Sequence, residues 1–254
     1  VAKGYNQKHG EDFDEVFSPV VKMSTVRCII SLTASKHWKL HQLDVNNAFL
    51  HGELKEEVYM QVPDGIANPM NYVFRVIKSI YGLRQASKVW FEKLATELFS
   101  RGFFQSKNDS NLFICKHHTS ITLIAVYVDD IIITGNSEEH INSIKQHLDT
   151  IFGIKDLSLL NFFLGIEITY IPKGVVLSQK KFTQELLEHS SVDCSQKAVT
   201  PLPLHLKFKS EDGDLFHDPE LYRSLLGKLN FLTHTRPDLS YAVQSFSQFM
   251  HQPR

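Results

Sequence analysis

Hydrophobic residues recur along this chain at two spacings, which predict helices and strands in mixed order. Spacing near 3.6 residues predicts amphipathic helices over 24–36, 85–101, 137–152, 181–189, about 219–234 and 237–250. Alternating or continuous β-branched runs predict strands at 38–45, 58–62, 73–77, 121–134, 162–170 and 175–178. Because hairpins and helices follow one another without regular βαβ alternation, the pattern predicts an α+β fold with antiparallel sheet.

Polar and proline residues indicate where several elements begin or end. Ser24 or Thr25 is the expected cap of the first helix, and Asn136 has the capping-box spacing to Glu139. Pro237 fits the first position of the last helix. Residues 200–218 carry prolines, mixed charge and no clean period, so they are predicted to be a linker.

Composition is that of an ordinary globular chain of 254 residues, with 43% hydrophobic and 22% charged residues. No apolar run approaches the ~20 residues that span a bilayer, so no membrane association is expected. The three cysteines, Cys28, Cys115 and Cys194, are widely separated and favour neither a zinc knuckle nor a disulfide framework. The net charge of −1 argues weakly against a nucleic-acid binder. However, the charges of an acidic centre and a basic rim would cancel in the net charge.

An acidic pair interrupts the strongest strand prediction. Asp129 and Asp130 lie between almost entirely apolar runs, which predicts a buried hairpin with the pair at its turn. Such a pair can simply form a turn. However, the predicted strand at 38–45 also ends in an acid, Asp44. Carboxylates at adjacent strand ends can share Mg²⁺ ions that also bind substrate phosphates.

Several motifs together resemble those of reverse transcriptases of copia-type LTR retrotransposons. The most specific are LDVNNAFLHG at 43–52, IYGLRQA at 80–86 and YVDD at 127–130. Residues 1–7, 163–168, 177–182 and 236–238 are similar to other motifs of that family. The resemblance covers essentially the whole chain, which we interpret as a segment of a longer Pol polyprotein.

The resemblance implies a right-hand polymerase fold with fingers, palm and the start of a thumb. It places the polymerase and primer-holding region in residues 1–199, the linker at 200–218, and a helical segment leading toward RNase H at 219–254. It implies RNA-directed DNA synthesis, in which a primer 3′-hydroxyl attacks a dNTP. Asp44, Asp129 and Asp130 match the catalytic, metal-binding carboxylates of the family, with two Mg²⁺ or Mn²⁺ ions as cofactors.

Other residues match the nucleotide-binding positions of the family. Phe49 would be a steric gate against the 2′-hydroxyl of an rNTP, and Gln85 would contact the incoming nucleotide. Core packing is the ordinary alternative for Phe49. Tyr127 would lie beside the primer end. The basic residues assigned to this group are Lys3, Arg84 and Lys155; Lys155 would protonate pyrophosphate, and ordinary surface cations are the alternative for Lys3 and Arg84.

The resemblance also implies partners: RNA and DNA template-primer, dNTPs, and the RNase H, integrase and protease regions of Pol. It implies a cytoplasmic location in virus-like particles, with the nucleus as an alternative. Two positions depart from the family pattern, with Ser87 in place of the usual proline and Ser158 in place of the usual glycine. If position 158 requires positive φ, serine would strain it. A catalytically inactive relic and a metal-dependent nuclease are the competing hypotheses.

Overall fold

We describe the protein from a computed structural model. It describes residues 2–16, 18–63, 65–67, 70, 72–190, 200–203, 206, 208–209, 211 and 213–254. The chain forms two compact units, Val1–Leu160 and Asn161–Arg254, a division that lies earlier than the predicted boundary after residue 199. Residues 191–199 and part of 200–218 lie outside the described residues, so the linker stays a prediction.

The described α-helices are α1 (Met23–Lys36), α2 (Ala86–Ser100), α3 (Glu138–Phe152), α4 (Lys180–Ser190), α5 (Pro219–Leu232) and α6 (Ser240–Ser247). The described strands of the first unit are β1 (Leu40–Val45), β2 (Glu53–Gln61), β3 (Val73–Lys78), β4 (Phe104–Gln105), β5 (Leu112–His117), β6 (Ser120–Tyr127), β7 (Asp130–Gly135) and β8 (Ile154–Leu159). Those of the second unit are β9 (Phe162–Phe163), β10 (Ile166–Ile171) and β11 (Gly174–Ser178). This mixture of helices and antiparallel sheets confirms the predicted α+β content.

A six-stranded antiparallel sheet with the order β4-β5-β6-β7-β1-β8 organises the first unit. One of its faces belongs to the main hydrophobic core, because alternate strand residues such as Leu43, Ile131 and Ile133 are fully buried there. Helices α2 and α3 contribute buried apolar side chains to the same core, among them Trp90 and Ile141. Residues between these positions lie on the opposite face, which carries the acids discussed below.

Three strands and several local details differ from the sequence prediction. Strands β4, β5 and β8 were not predicted; β8 is mostly exposed and its polar sequence lacks a two-residue period. The hairpin turn consists of Val128 and Asp129, since Asp130 already begins β7. The prediction that both acids occupy the turn is therefore wrong.

The predicted helix caps are also wrong. Lys22 is the N-cap of α1 and makes no side-chain cap bond, whereas the Thr25 hydroxyl donates to Asp109 at 2.6 Å. The cap of α3 is Ser137, whose Oγ accepts from the His140 N–H. Asn136, the predicted cap, instead accepts from the Ile121 N–H through its side chain. Short polar residues next to one another compete for such roles, and only the chain's path decides between them.

A β-bulge marks the edge of the large sheet. The register between β1 and β8 shifts between His41 and Leu43, and Ser158 in that stretch has φ of 67°. The Ser158 N–H donates to Asp156 Oδ1 at 2.8 Å. The departure noted at Ser158 thus falls on a left-handed position that glycine adopts without a Cβ penalty.

The second unit contains the small sheet β11-β10-β9 and helices α4 to α6, which confirms the predicted β10–β11 hairpin. Glu167 accepts hydrogen bonds from the Ser178 hydroxyl and from the Lys181 N–H at the start of α4. Before α6 the chain forms a short 3-10 turn, Pro237–Leu239. In the described part of the chain, no helix has the length and apolar character that crossing a membrane requires.

Candidate active site

A row of polar side chains crosses the large sheet near one end. Asp44 on β1 lies directly opposite Asp130 on β7 and, on its other side, opposite Lys155 on β8. Asp130 is also paired with Tyr127 on β6. Residues directly opposite one another in antiparallel strands present their side chains on the same face, so these four residues form one line, which we call the acidic row. Asp129 lies next to it in the β6–β7 turn.

The β6–β7 turn is held in an unfavourable backbone conformation. It has two residues, and Val128 has φ of 57°, a conformation that is rare for a β-branched residue. Both turn carbonyls accept hydrogen bonds from neighbouring elements. Trp90 Nε1 on α2 donates to the Val128 carbonyl at 2.8 Å, and the Val45 N–H on β1 donates to the Asp129 carbonyl at 3.0 Å. A strained turn persists when contacts with neighbouring elements, such as these two hydrogen bonds, hold its backbone in place.

The pKa of Asp130 depends on its burial and on its two acidic neighbours. Burial raises the pKa of Asp130 above its ordinary value of 3.8, and the charges of Asp129 and Asp44 also raise it. Gln42 acts in the opposite direction, because its Nε2 donates to Asp130 Oδ1 at 3.1 Å and lowers the pKa. A cation beside the three carboxylates would relieve their mutual repulsion.

The donor chemistry of this region fits a hard divalent cation. Carboxylate oxygens are the ligands that Mg²⁺ prefers, and Asp44, Asp129 and Asp130 supply them at one end of the sheet. However, among the residues that the structure describes, no group of three or more His, Cys, Asp or Glu side chains is arranged to hold a metal ion. Metal binding by these three residues therefore stays a prediction.

Two aromatic rings lie beside the acids. Phe49 is in the 3-10 turn Ala48–His51 that follows β1, and its ring centroid is 4.4 Å from that of Tyr81. Burial raises the pKa of Tyr81 above its ordinary value of 10.0, and the charges of Asp129 and Asp44 raise it further. Phe49 is half-buried and also packs against two apolar clusters. The structure therefore supports core packing for Phe49 without testing the gate role.

The loop that contains Tyr81 and Gln85 is covered by the N-terminal segment. Gln85 is only 1% exposed. Its Oε1 accepts from Gln7 Nε2 at 3.1 Å, and its Nε2 donates to the Asp12 carbonyl at 3.0 Å. The expected contact of Gln85 with a nucleotide stays a prediction, and its amide is already bonded within the protein.

Close backbone contact joins the same two segments. The Gly4 N–H donates to the Gly82 carbonyl at 3.0 Å, and a Cβ on Gly4 would lie 2.0 Å from that oxygen. Gly82 has φ of 97°, and a Cβ there would lie 2.0 Å from the Ala2 carbonyl oxygen. Arg84 Nε donates to the Gly4 carbonyl at 2.9 Å. Both glycines are thus required by the close approach of the two backbones.

The remaining predicted basic residues lie in different places. Arg84 is exposed, and its guanidinium is 5.6 Å from the centroid of the Phe13 ring, so it holds the N-terminal segment. Lys3 is exposed and lines a cleft of about 530 Å³, together with residues 58–63 at the end of β2. Lys155 is exposed and belongs to the acidic row.

Four residues of this region were not identified from the sequence: Gln7, Gln42, Tyr81 and Trp90. Gln42 was accessible to sequence reasoning, because it lies two residues before Asp44 in a predicted strand and so shares its face. The contacts of Gln7, Tyr81 and Trp90 join positions far apart in the chain, and no local pattern predicts them.

Comparison with known proteins assigns the family. The sequence model of the family described as "Reverse transcriptase (RNA-dependent DNA polymerase)" matches residues 1–203. The retrovirus-related Pol polyprotein from transposon RE2 of Arabidopsis thaliana is 42% identical over 255 residues, which cover 100% of this chain and 18% of the relative. That from transposon TNT 1-94 of Nicotiana tabacum is 36% identical, with 100% and 20% covered. A putative transposon Ty5-1 protein of Saccharomyces cerevisiae is 31% identical over 216 residues, with 84% and 70% covered.

This chain therefore spans about a fifth of the two plant polyproteins and most of the yeast protein. The motifs 43–52, 80–86 and 127–130 all lie inside the matched range 1–203. In the structure, parts of these motifs meet around the acidic row: Asp44 and Phe49 from the first, Tyr81 from the second, and Tyr127 with both acids from the third. The family match and the geometry agree, and the chain belongs to the reverse transcriptases of copia-type retrotransposons.

Proposed function

We propose that this chain is the fingers and palm of an RNA-directed DNA polymerase, with the start of a thumb, and that it adds dNTPs to a primer 3′-hydroxyl. The observation that supports this most directly is the position of Asp44 opposite Asp130, with Asp129 in the adjoining turn. In this proposal the six-stranded sheet with α2 and α3 is the palm. Residues 1–199 are the polymerase and primer-holding region, and 219–254 lead toward RNase H.

Reverse transcriptases generally use divalent metal ions. In this chain Asp44 and Asp129 would be the most direct ligands, with Asp130 completing the site for two Mg²⁺ or Mn²⁺ ions. When bound, such ions activate an attacking hydroxyl and neutralise charge on the phosphates. The donor set supports this assignment, because three carboxylates lie together at one end of the sheet and carboxylate oxygens are the ligands that Mg²⁺ prefers.

The protein itself positions the carboxylates. The bonds from Trp90 and Val45 to the two turn carbonyls fix the backbone of Asp129, and the Gln42 amide fixes one oxygen of Asp130. Phosphoryl transfer depends mainly on positioning and charge neutralisation. A rigid turn on a buried hairpin is suited to this task because the acids do not have to be reorganised during each addition.

Around the acids, we assign Phe49 as the steric gate, Gln85 and Arg84 as residues that shape the nucleotide pocket, and Tyr127 as the neighbour of the primer end. The contact of Phe49 with Tyr81, close to two of the acids, supports the gate. Lys3 would contact the triphosphate. The position of Lys155 opposite Asp44 supports a role in protonating pyrophosphate. Template-primer and the RNase H, integrase and protease regions are the proposed partners, in cytoplasmic virus-like particles or the nucleus.

Incorporation of dNTPs on a primed RNA template, with Mg²⁺ or Mn²⁺, tests the proposal in the full-length protein. Asp129→Asn should reduce incorporation on the order of 10²-fold or more, because the site would lose a charged ligand of the ions that neutralise charge in the transition state. Asp149→Asn, the same change at an exposed site on α3, is the control and should retain activity. Equal incorporation by the wild type and Asp129→Asn would refute the role of Asp129, and an inactive full-length wild type would favour a relic.

The gate is tested separately. Phe49→Val should raise rNTP incorporation relative to dNTP incorporation, because the smaller side chain leaves room for the 2′-hydroxyl. The ratio of the two kcat/KM values is the measurement. An unchanged ratio would show that Phe49 is not a steric gate and contributes only to packing.

A further inference from the structure

Three consecutive hydrogen bonds connect the loop at residues 81–85, which we call the nucleotide loop, with the N-terminal segment. The Arg84 N–H donates to Gln7 Oε1 at 2.8 Å, Gln7 Nε2 donates to Gln85 Oε1 at 3.1 Å, and Gln85 Nε2 donates to the Asp12 carbonyl at 3.0 Å. Gln7 therefore bridges two consecutive residues of the loop, using both ends of its amide.

The orientation of both amides is determined by the ends of this series of hydrogen bonds. A backbone N–H can only donate and a backbone carbonyl can only accept. Since Arg84 donates to Gln7, the oxygen of Gln7 faces Arg84 and its NH₂ faces Gln85. The oxygen of Gln85 then faces Gln7, and its NH₂ faces the Asp12 carbonyl. Reversing either amide would bring two acceptors or two donors together.

The bonded loop carries one wall of the proposed nucleotide pocket. Tyr81, four residues before Gln85, contacts the ring of Phe49, and the charges of Asp129 and Asp44 act on its hydroxyl. The Ala2 N–H donates to the Tyr81 carbonyl at 2.8 Å. The N-terminal segment thus holds the loop at both ends, at Tyr81 through backbone and at Gln85 through Gln7.

We propose that Gln7 is a positioning residue for nucleotide selection: it fixes the amide of Gln85 and, through it, the loop that lines the nucleotide pocket. This inference rests on the proposed polymerase function. Gln7 does not touch the reacting atoms, so its loss should weaken nucleotide binding more than the chemical step.

The sharpest test is Gln7→Glu, which keeps the shape of the side chain. A carboxylate still accepts from the Arg84 N–H but presents a second acceptor to Gln85, so either orientation of Gln85 leaves two acceptors facing each other. We expect the KM for dNTP to rise about fivefold to tenfold, as for the loss of one hydrogen bond, while kcat changes less than about twofold. Gln146→Glu, on the exposed side of α3, is the matched control and should leave both constants unchanged.

A second variant separates positioning from a general loss of structure. Gln7→Met removes both bonds without adding charge, and it should raise the KM and increase hydrogen exchange at the Arg84 amide. Gln7→Glu should leave that amide protected, because its acceptor is retained. In a Gln85→Met background, Gln7→Glu should no longer raise the KM, since the opposing acceptor is gone.

An unchanged KM in both Gln7 variants of an active enzyme would overturn the inference while leaving the polymerase function intact. So would an equal effect of Gln7→Glu with and without Gln85, since the two residues would then act independently. If the full-length wild type incorporates no dNTP, the polymerase function fails first, and this inference falls with it.

Discussion

Two antiparallel strand pairs of the first unit have opposite surroundings. The β6–β7 pair lies inside the six-stranded sheet, and Ile124, Ile131 and Ile133 on it are fully buried. The β2–β3 pair forms a sheet of its own with largely exposed apolar residues, including Ile77 at 70% and Tyr59 at 55% exposure. Two-stranded sheets are marginally stable alone, and β2 is anchored where Val58 packs with Leu83 and Ala86.

The difference indicates where this protein needs rigidity. The acids lie at the end of the pair that is packed on both sides and bonded at its turn, so their positions are fixed by the core. Strand β2 borders the cleft that contains Lys3, where small adjustments of the backbone would not displace any of the three proposed catalytic carboxylates. Three substitutions and a change of pH test whether the two strand pairs differ in this way.

The largest effect is expected from Ile131→Ala, which removes a fully buried side chain next to Asp130. The free energy of unfolding should fall by about 2–5 kcal/mol, because the lost contacts leave a cavity in the core. Ile77→Ala on β3, the same change at an exposed position, should alter it by less than about 0.5 kcal/mol. Chemical denaturation measures both, and equal losses would show that the two pairs do not differ in this way.

Trp90→Phe should have the next largest effect. It removes the donor to the Val128 carbonyl while retaining a buried aromatic ring, so stability should fall by about 1–3 kcal/mol. Polymerase activity should fall as well, since the turn that carries Asp129 loses a support. Trp38→Phe is the matched control, because Trp38 lies two residues before β1 and outside the β6–β7 turn. Loss of stability with full activity would mean that the turn needs no such support.

Val128→Gly should change stability with the opposite sign. Removing the Cβ relieves the left-handed strain, which is worth about 1–2 kcal/mol, although glycine's greater freedom in the unfolded chain offsets part of it. We expect a net gain in stability and lower activity, because the turn becomes less restricted. Val73→Gly, the same change in β3, should destabilise. A loss of stability at Val128 would show that its strain is not significant.

The smallest effect concerns pH and His41 on β1. Burial and the charge of Lys145 lower the pKa of His41 below its ordinary value of 6.5, against the opposing effects of Glu138 and Asp156. The folded state therefore binds a proton less readily than the unfolded state, so stability should fall as pH decreases below about 6.5 toward the folded-state pKa. In His41→Gln this part of the pH dependence should disappear. An unchanged pH profile, measured by chemical denaturation, would contradict it.

Much of the fold could be predicted from the sequence, because the spacing of apolar residues within a helix or strand is a local property of the chain. The helices α1, α2 and α3 and the strands β1, β6 and β7 lie close to their predicted bounds, since their apolar periods agree with the faces they bury. The largely exposed β3 also agrees, whereas β2 begins at Glu53 and not at the predicted residue 58. Strand β8 has no such period. It exists because it pairs with β1 through a bulge, which is a long-range property.

The candidate site likewise has residues that the sequence indicated and contacts that it did not. The resemblance of three motifs indicated Asp44, Phe49, Gln85 and the acidic pair, and the structure brings Asp44, Phe49 and the pair to one region. It could not indicate that Gln85 is bonded to Gln7 and buried, since a contiguous motif does not specify contacts between residues far apart in the chain.

The α+β class, the family and the place of Asp44 near the end of its strand could all be predicted from the sequence, because strand periods and contiguous motifs are formed by neighbouring residues. Three features could be seen only in the folded chain: Asp44 lies between Asp130 and Lys155, Trp90 and Val45 hold the strained turn, and the N-terminal segment covers the loop at residues 81–85. The physical reason is that strand register and side-chain hydrogen bonds between distant segments depend on how the whole core packs.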